Sequence, residues 1–547
     1  MQTSPKDSTL RFRPLPVMEK AMERLVLPRI LILFATLLLA GCMKIGPDFV
    51  RPDAPHLSAN WLDAQDSRVT NQSADYRQWW QAFNDPTLDR LIDTAHQQNL
   101  SLRIAGLRVL EARAQLGIAV GKLFPQTQQL FGTLEYNRVS ERSFQLGALN
   151  NQRYEQSEIG ILASWEIDFW GKFRRNIESA DANWMATLAD YDSALVSLTA
   201  DVASLYVIIR TLEKRIHITS QNIETQKESL RIAEARFHGG TTSQRDVEQA
   251  KTQLASTQAS IPMLESQLRQ AKNGLSVLLG LPPGDLPSLL SPAPGIPVPP
   301  SQVAVGIPAD LLRRRPDIRS AEYQAASQSA QIGVAKADLL PAFSLSGTFG
   351  FLASNVGKSA LGDMFQWGSR TYVWGPVGQW NILNYGKLAN NVRVQDARFQ
   401  QLLVAYQNTV LKAQKEVEDA LSGFLRAHER AGFLAESSLA ARQSVDLATA
   451  QYQVGIVDYT AVLTAQQSLL DEQDNLATAL GDVSRNLAEV YRALGGGWQI
   501  REGMDLVPSD VKETMAQRTN WGNLLSPAVY IPPDQAAGEP LVRLPDW

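Results

Sequence analysis

The chain has 547 residues, with 52 lysines and arginines against 56 aspartates and glutamates, for a net charge of −4. That balance offers no basic field for nucleic acid. The single cysteine and five scattered histidines (His56, His96, His217, His238 and His428) exclude a disulfide framework and show no metal-ligand spacing. A phosphate-cradling glycine loop and a GxSxG elbow are also missing, so the reading is of a protein that is not an enzyme and needs no cofactor or metal. The length alone suggests several domains.

The first element is a signal. Lys20, Arg24 and Arg29 precede an apolar run, Ile30 to Leu39, and then the small pair Ala40-Gly41. This is the layout of a cleaved secretory peptide, expected over 1–41, with Met18 or Met22 as alternative starts. The run has about ten residues against roughly 20 for a bilayer-spanning helix. Cys42 follows the cut, and Leu39-Ala40-Gly41-Cys42 resembles a bacterial lipoprotein box, whose thiol takes the membrane lipid. The alternative is a buried cysteine behind a short membrane helix. Residues 42–88 are expected to be a lipid-anchored extended segment. No second long apolar run follows, so no membrane helix is expected in the mature chain, but β-strands carry a weaker signal and could still span.

The rest is written twice. Leu116-Gly117-Ile118-Ala119 to Leu123-Phe124-Pro125 matches Ile332-Gly333-Val334-Ala335 to Leu339-Leu340-Pro341. Trp165 to Lys172 matches Trp380 to Lys387, and Phe237 to Val247 matches Tyr452 to Val462, at a constant offset of 215–216 residues. The copies span 89–280 and 309–498. Between them, 281–308 holds nine prolines in 28 residues and reads as a non-helical, extended connector. The segment 499–547 also reads as irregular.

Each copy begins with a helical pattern; in the first it runs from Asp89 to Leu123. Alternation follows, predicting strands at about 127–137 and 158–168, then 342–352 and 371–382. Leu130, Gly132, Leu134 and Tyr136 share one face, as do Ile159, Ile161, Ala163, Trp165 and Ile167. Phe343, Leu345, Phe349 and Phe351 form a third apolar face, and Tyr372, Trp374, Trp380 and Ile382 a fourth. Strands of this length, apolar on one face and small or polar on the other, fit a membrane barrel or an ordinary half-buried sheet. Trp165 and Trp380, at matched strand ends, are the expected membrane-interface aromatics.

Long helices are predicted over 172–238 and 387–453, each roughly 100 Å at 1.5 Å per residue. Val410, Val417, Phe424 and Ala431 hold a seven-residue spacing, as do Leu195, Val202, Ile209 and Ile216, which implies left-handed supercoiling. Gly239-Gly240 and Val454-Gly455 close these helices. Returning helices follow at 243–279 and 458–494. Ser243 and Asp458 are expected to cap them, and Pro262 to bend the first.

Together with Ile45-Gly46-Pro47-Asp48-Phe49-Val50-Arg51-Pro52 and the closing Leu494-Gly495-Gly496-Gly497-Trp498, these features resemble the TolC/OprM-type outer-membrane efflux factors, specifically their lipoprotein, NodT-like branch. The resemblance covers nearly all of 42–498. It implies a mixed fold, an all-α coiled-coil barrel plus a transmembrane β-barrel. Each chain would supply a duplicated helix–β-hairpin–helix unit with four strands, and a homotrimer would close a twelve-stranded barrel. It implies the bacterial outer membrane with a periplasmic helical tube, and as partners outer-membrane lipid, a periplasmic adaptor and an inner-membrane pump. Met43 is consistent with outer-membrane sorting. The turns Gly239, Gly240, Val454 and Gly455 would dock the adaptor. The periplasmic constriction would fall at Asp246, Arg245, Asp458, Tyr459, Ala461 and Thr464. Family charges at the positions of Val457, Ala461 and Thr464 are absent here, so that latch chemistry does not carry over. A protein-secretion duct of the same fold and a structural envelope-spanning lipoprotein are the alternative functions.

Overall fold

The computed structural model describes residues 44–526, apart from 53–57, 71, 73–74, 141, 143–152, 285, 292–294, 307, 311–313 and 357–359. The signal region, Cys42 and most of the first inter-strand loop lie outside these. The chain forms two compact units. One comprises 119–177, 329–395 and the segment ending at Asp48; the other comprises 49–118, 178–328 and the chain from Asp396 onward.

The first unit is built on an antiparallel sheet of four strands, β2 (Thr127–Arg138), β3 (Arg153–Ile167), β5 (Ala342–Ser354) and β6 (Arg370–Gln379), in the order β2-β3-β5-β6. Register carries the alternation across the sheet. Leu130 pairs with Ile161, Ile161 with Phe349, and Phe349 with Tyr372, giving one apolar row over four strands. Leu130, Ile161, Phe349 and Tyr372 are all exposed. On the opposite face Gly160 sits beside Gly350, where a Cβ on Gly160 would press on Phe131, and Ser164 Oγ lies 2.9 Å from Ser346 Oγ.

The strand limits differ from the alternation in two places. β3 starts at Arg153 rather than 158, because backbone pairing with β2 continues to Arg138 although the side chains have turned polar. β6 stops at Gln379, which pairs with Ala342, the first residue of β5. Trp380 and Ile382 therefore follow the strand, where β5 offers no further partner.

The base of the sheet repeats the duplication. Trp165 Nε1 donates to Leu123 O and Trp380 Nε1 to Leu339 O, each at 3.0 Å. Lys172 pairs with Asp338 at 2.9 Å.

The second unit is helical, with a small parallel pair, β1 (Val69–Thr70) and β4 (Val303–Ala304). The first helical stretch is two helices, α1 (Pro86–Gln98) and α2 (Leu100–Gly121). The single helix expected from Asp89 to Leu123 breaks at Asn99, which takes an extended conformation. Its Oδ1 accepts from Leu102 N, capping α2, and its Nδ2 donates to Leu278 O at 2.9 Å. Arg315, at the matching place before α6 (Pro316–Ala337), donates to Ala493 O at 2.8 Å.

The long helices are α3 (Lys172–His238) and α7 (Lys387–Gln453); the returning helices are α4 (Gln244–Leu278) and α8 (Tyr459–Ala493). α4 passes through Pro262 as one element. α3 also contains an 18-residue window apolar enough to cross a membrane by composition, contrary to the expected lack of a second apolar run. Most of that window is buried within the protein, as befits a core helix, and Val202, Tyr206 and Ile209 are wholly inaccessible there.

The connector is not helix-free, since Pro287–Leu290 makes one turn, α5. Proline at the start of a helix has no intrahelical amide bond to lose. Nor is the chain after Trp498 all irregular, because α9 spans Ser509–Arg518. The C-terminal part is tied in by Arg501, which forms a double hydrogen bond with the inaccessible Asp192 of α3.

Candidate functional site

The two turns that join long to returning helices are built alike. In the first, Thr241 N donates to Arg236 O and Gly240 N to Phe237 O, both at 2.9 Å. In the second, Ile456 N donates to Gln451 O at 2.9 Å and Gly455 N to Tyr452 O at 3.0 Å. This six-to-one, five-to-two pattern satisfies the orphan carbonyls of a helix end and requires a left-handed residue. Gly240 (φ +71°) and Gly455 (φ +83°) supply it. Beneath the turns Ala233, Val247, Ala250, Tyr452, Tyr459 and Val462 form a small apolar core. Above it the turn residues Gly239, Gly240, Val454, Gly455 and Ile456 are exposed, with Val454 and Ile456 each more than 70% accessible.

The residues expected at the constriction separate into two groups. Asp246 and Tyr459 are buried. Asp246 Oδ2 accepts from Thr242 Oγ1, and Oδ1 accepts from Ser243 Oγ at 3.0 Å. Tyr459 stands edge-on to Tyr452, ring centroids 5.4 Å apart. Burial pushes the Tyr459 hydroxyl up to about 12, and the neighbouring Tyr452 and Asp246 add to the effect. Arg245, Asp458 and Thr464 are exposed and Ala461 is half-buried. Arg245 Nε reaches only to 4.0 Å from Asp246, and Thr464 Oγ1 donates to its own helix at Thr460 O.

The hydrogen bonds to Asp246 thus come from two hydroxyls and not from its neighbours at the site, Arg245 and Tyr459. The hydroxyls lie on short side chains three and four residues earlier, within reach across the first turn of α4. The same geometry overturns the capping role of Ser243. It occupies the N-cap position of α4, but its side chain caps no backbone amide and donates to Asp246 instead. Asp458, at the N-cap of α8, likewise makes no capping bond. Trp165 and Trp380 belong to the other unit, at the base of the sheet.

Sequence reasoning missed a polar seam leading to this site. Arg215, Asn222, Ser229 and Arg236 recur every seven residues along α3. Arg215 forms a two-pronged ion pair with Asp474, at 2.7 and 2.9 Å. Asn222 Nδ2 donates to Gln473 Oε1 at 2.8 Å, and Gln466 Nε2 donates to Ser229 Oγ at 2.6 Å. Arg236 bonds the end of α7 at Tyr452 O and Gln453 O. Polar residues at one heptad position fix register between helices. The signal was a polar residue recurring at the heptad position just before the apolar one held by Ile216, Ile223, Leu230 and Phe237. Among the described residues no three histidine, cysteine or carboxylate side chains converge to hold a metal.

Comparison with known proteins agrees with this architecture. Nodulation protein T of Rhizobium leguminosarum bv. trifolii is 31% identical over 467 residues, covering 85% of this chain and 96% of that protein. The solvent efflux pump outer membrane protein SrpC of Pseudomonas putida is 32% identical over 484 residues, covering 86% and 98%. The outer-membrane channel OprN shares the fold with a TM-score of 0.77 and 32% identity, over 83% of this chain and all of that one. The profile described as "Outer membrane efflux protein" matches both repeats, at residues 91–281 and 307–496, and the chain belongs to that family.

Proposed function

We propose that this protein is the outer-membrane duct of a tripartite efflux system, working as a homotrimer whose three sheets close one twelve-stranded barrel. The observation that carries this reading is the four-stranded sheet with an exposed apolar row and two unpaired edge strands, β2 and β6. Open edges are not tolerated in lipid, and four strands are too few to close. Joining β2 of one protomer to β6 of the next removes every edge. The bare apolar row then faces lipid, with Trp165 and Trp380 at the interface and Cys42 carrying the lipid anchor. The strand ends at Arg138, Arg153, Ser354 and Arg370 face outward. The long helices form a periplasmic tube, whose turns at Gly240 and Gly455 meet a periplasmic adaptor and an inner-membrane pump.

Transport through such a duct is passive, and the energy comes from the pump. The names of relatives, among them a solvent efflux and a toluene efflux pump protein, favour small toxic compounds as cargo. Asp246 and the residues just past the turns would gather at the threefold axis and close the periplasmic end. Deleting the gene is expected to sensitise cells to small toxicants, with a trimer recovered by cross-linking when the gene is restored. Unchanged sensitivity together with loss of a secreted protein from the medium would favour the secretion duct. A monomer in cross-linked membranes would refute the barrel.

A further inference from the structure

We infer that Arg236 is a one-way clamp, by which the first hairpin holds the second turn in its closed position. This rests on the proposed function, which puts a closed end at these turns. The clamp is read from where the guanidinium goes. Nη1 donates to the backbone carbonyls of Tyr452 and, at 2.9 Å, Gln453, the last two residues of α7. The guanidinium carbon lies 4.7 Å from the centroid of the Tyr452 ring. Nη2 sits 3.4 Å from where a Cβ on Gly455 would stand. One side chain of α3 therefore touches the final carbonyls and the buried aromatic of the other hairpin, and lies over the side-chain position of its left-handed glycine.

The chemistry suits that place. The last carbonyls of a helix lack intrahelical donors and carry the negative end of its dipole, so a cation there is favourable. Tyr452 O is also the acceptor for Gly455 N, and Arg236 thus reinforces the bond that shapes the turn. Arginine can donate in plane and stack on a ring at once, which an ammonium cannot. The arrangement is not reciprocal. At the matching place in α7 the duplication puts Gln451, which is exposed. The clamp also uses backbone carbonyls, and so requires none of the charges missing at Val457, Ala461 and Thr464.

The test uses the full-length purified protein and compares R236A, R236K and Q451A by amide hydrogen exchange and by conductance in planar bilayers. In R236A, amides of Val454 to Asp458 should exchange about tenfold faster or more, the low end for losing hydrogen bonds to a charged donor. Amides of Gly239 to Ser243 should change less, and open bursts should lengthen. R236K should be intermediate, since it keeps the charge at the helix end but loses the fork and the stacking. Q451A should match wild type. Unchanged second-turn exchange in a folded R236A overturns the clamp; if R236A does not fold, a wild-type exchange rate in R236K does so. If exchange follows the expected pattern but no variant, nor the wild type, ever conducts, the clamp stands and the channel reading fails.

Discussion

Replacing Gly240 or Gly455 by valine should abolish export while leaving the trimer intact. Both glycines adopt positive φ, +71° and +83°, where an L-residue with a Cβ is strained by roughly 1–2 kcal/mol. At Gly240 an added Cβ brings no clash on top of that strain, because nothing lies within 4 Å of it. At Gly455 the Cβ itself would make an ordinary 3.4 Å contact with Arg236 Nη2, but the valine methyls must displace the guanidinium. Hydrogen bonds to a charged donor contribute about 1.5–3 kcal/mol, so Gly455→Val should cost roughly 2.5–5 kcal/mol in total. Either penalty suffices to reshape an exposed turn. Neither unfolds a helical body whose core runs from Trp79 and Trp80 through Tyr206 to Phe424 and Leu487. The assay is complementation of a deletion strain, with cross-linking to count trimers and co-purification to count bound adaptor. Normal export by both variants would show that the adaptor docks elsewhere. Loss of trimer in Gly240→Val would show that the strain is not local.

Cys42→Ser should end lipid labelling, and persistent incorporation of labelled palmitate would refute the anchor; barrel assembly should survive, because one acyl chain binds a membrane only marginally. Asp246→Ala should raise bilayer leakage only modestly, because Asp246 is held by two hydroxyls rather than an ion-pair latch, whereas Ala461→Leu should narrow the opening; a large conductance jump in Asp246→Ala would mean that the charge itself is the latch. Burial pushes the His96 imidazole down from 6.5 to about 4, so between those values the unfolded chain binds a proton that the folded chain refuses. Stability should therefore fall as pH drops from 6.5 towards 4, by up to roughly 3 kcal/mol, and His96→Gln should flatten thermal melts measured from pH 7.5 to 4.5; an unchanged slope would exclude His96 as the source.

The parts of the fold that were legible are those set by long periodic patterns. The spacing of Val410, Val417 and Phe424 marks α7 because a heptad sustained over many turns belongs to long, packed helices and little else. The sheet was legible because period-two alternation in β2, β3 and β5 agrees with one register. What escaped was decided by single contacts. In the Ala- and Leu-rich run from Asp89 to Leu123 the only mark of a break at Asn99 is that asparagine favours helix caps, which is weak against an otherwise continuous helical pattern. The break follows from an amide reaching Leu278 O, more than 170 residues away. Proline density hid the turn at Pro287–Leu290, since only prolines inside a helix oppose it. At the site, Asp246 was found but its partners were not, because a hydroxyl three or four residues earlier reads as a helix cap until its direction is known. From the sequence alone Arg236 is one more cation near a helix end, where a favourable dipole contact is the ordinary role.

The duplication separates what geometry demands from what the site demands. Where both copies face the same backbone problem, they solve it at the same place: Asn99 and Arg315 on Leu278 O and Ala493 O, Trp165 and Trp380 on Leu123 O and Leu339 O, and Gly240 and Gly455 in left-handed turns. Past the turns the copies diverge. The counterparts of Asp246, Thr242 and Ser243 are Ala461, Val457 and Asp458. The second copy thus lacks both the carboxylate and the two hydroxyls that hold it, and puts a like charge where one donor would be. An aspartate at 461 would be half-buried without a donor and beside Asp458, which disfavours its ionised form through desolvation and repulsion together. Ala461→Asp should therefore loosen the start of α8, speeding amide exchange over Tyr459 to Val462 at neutral pH. Adding Val457→Thr and Asp458→Ser should restore slow exchange, because the triple variant rebuilds the first copy's hydroxyl pair. If the single and triple variants exchange alike, the hydroxyls are not what keeps a carboxylate at this end of the hairpin.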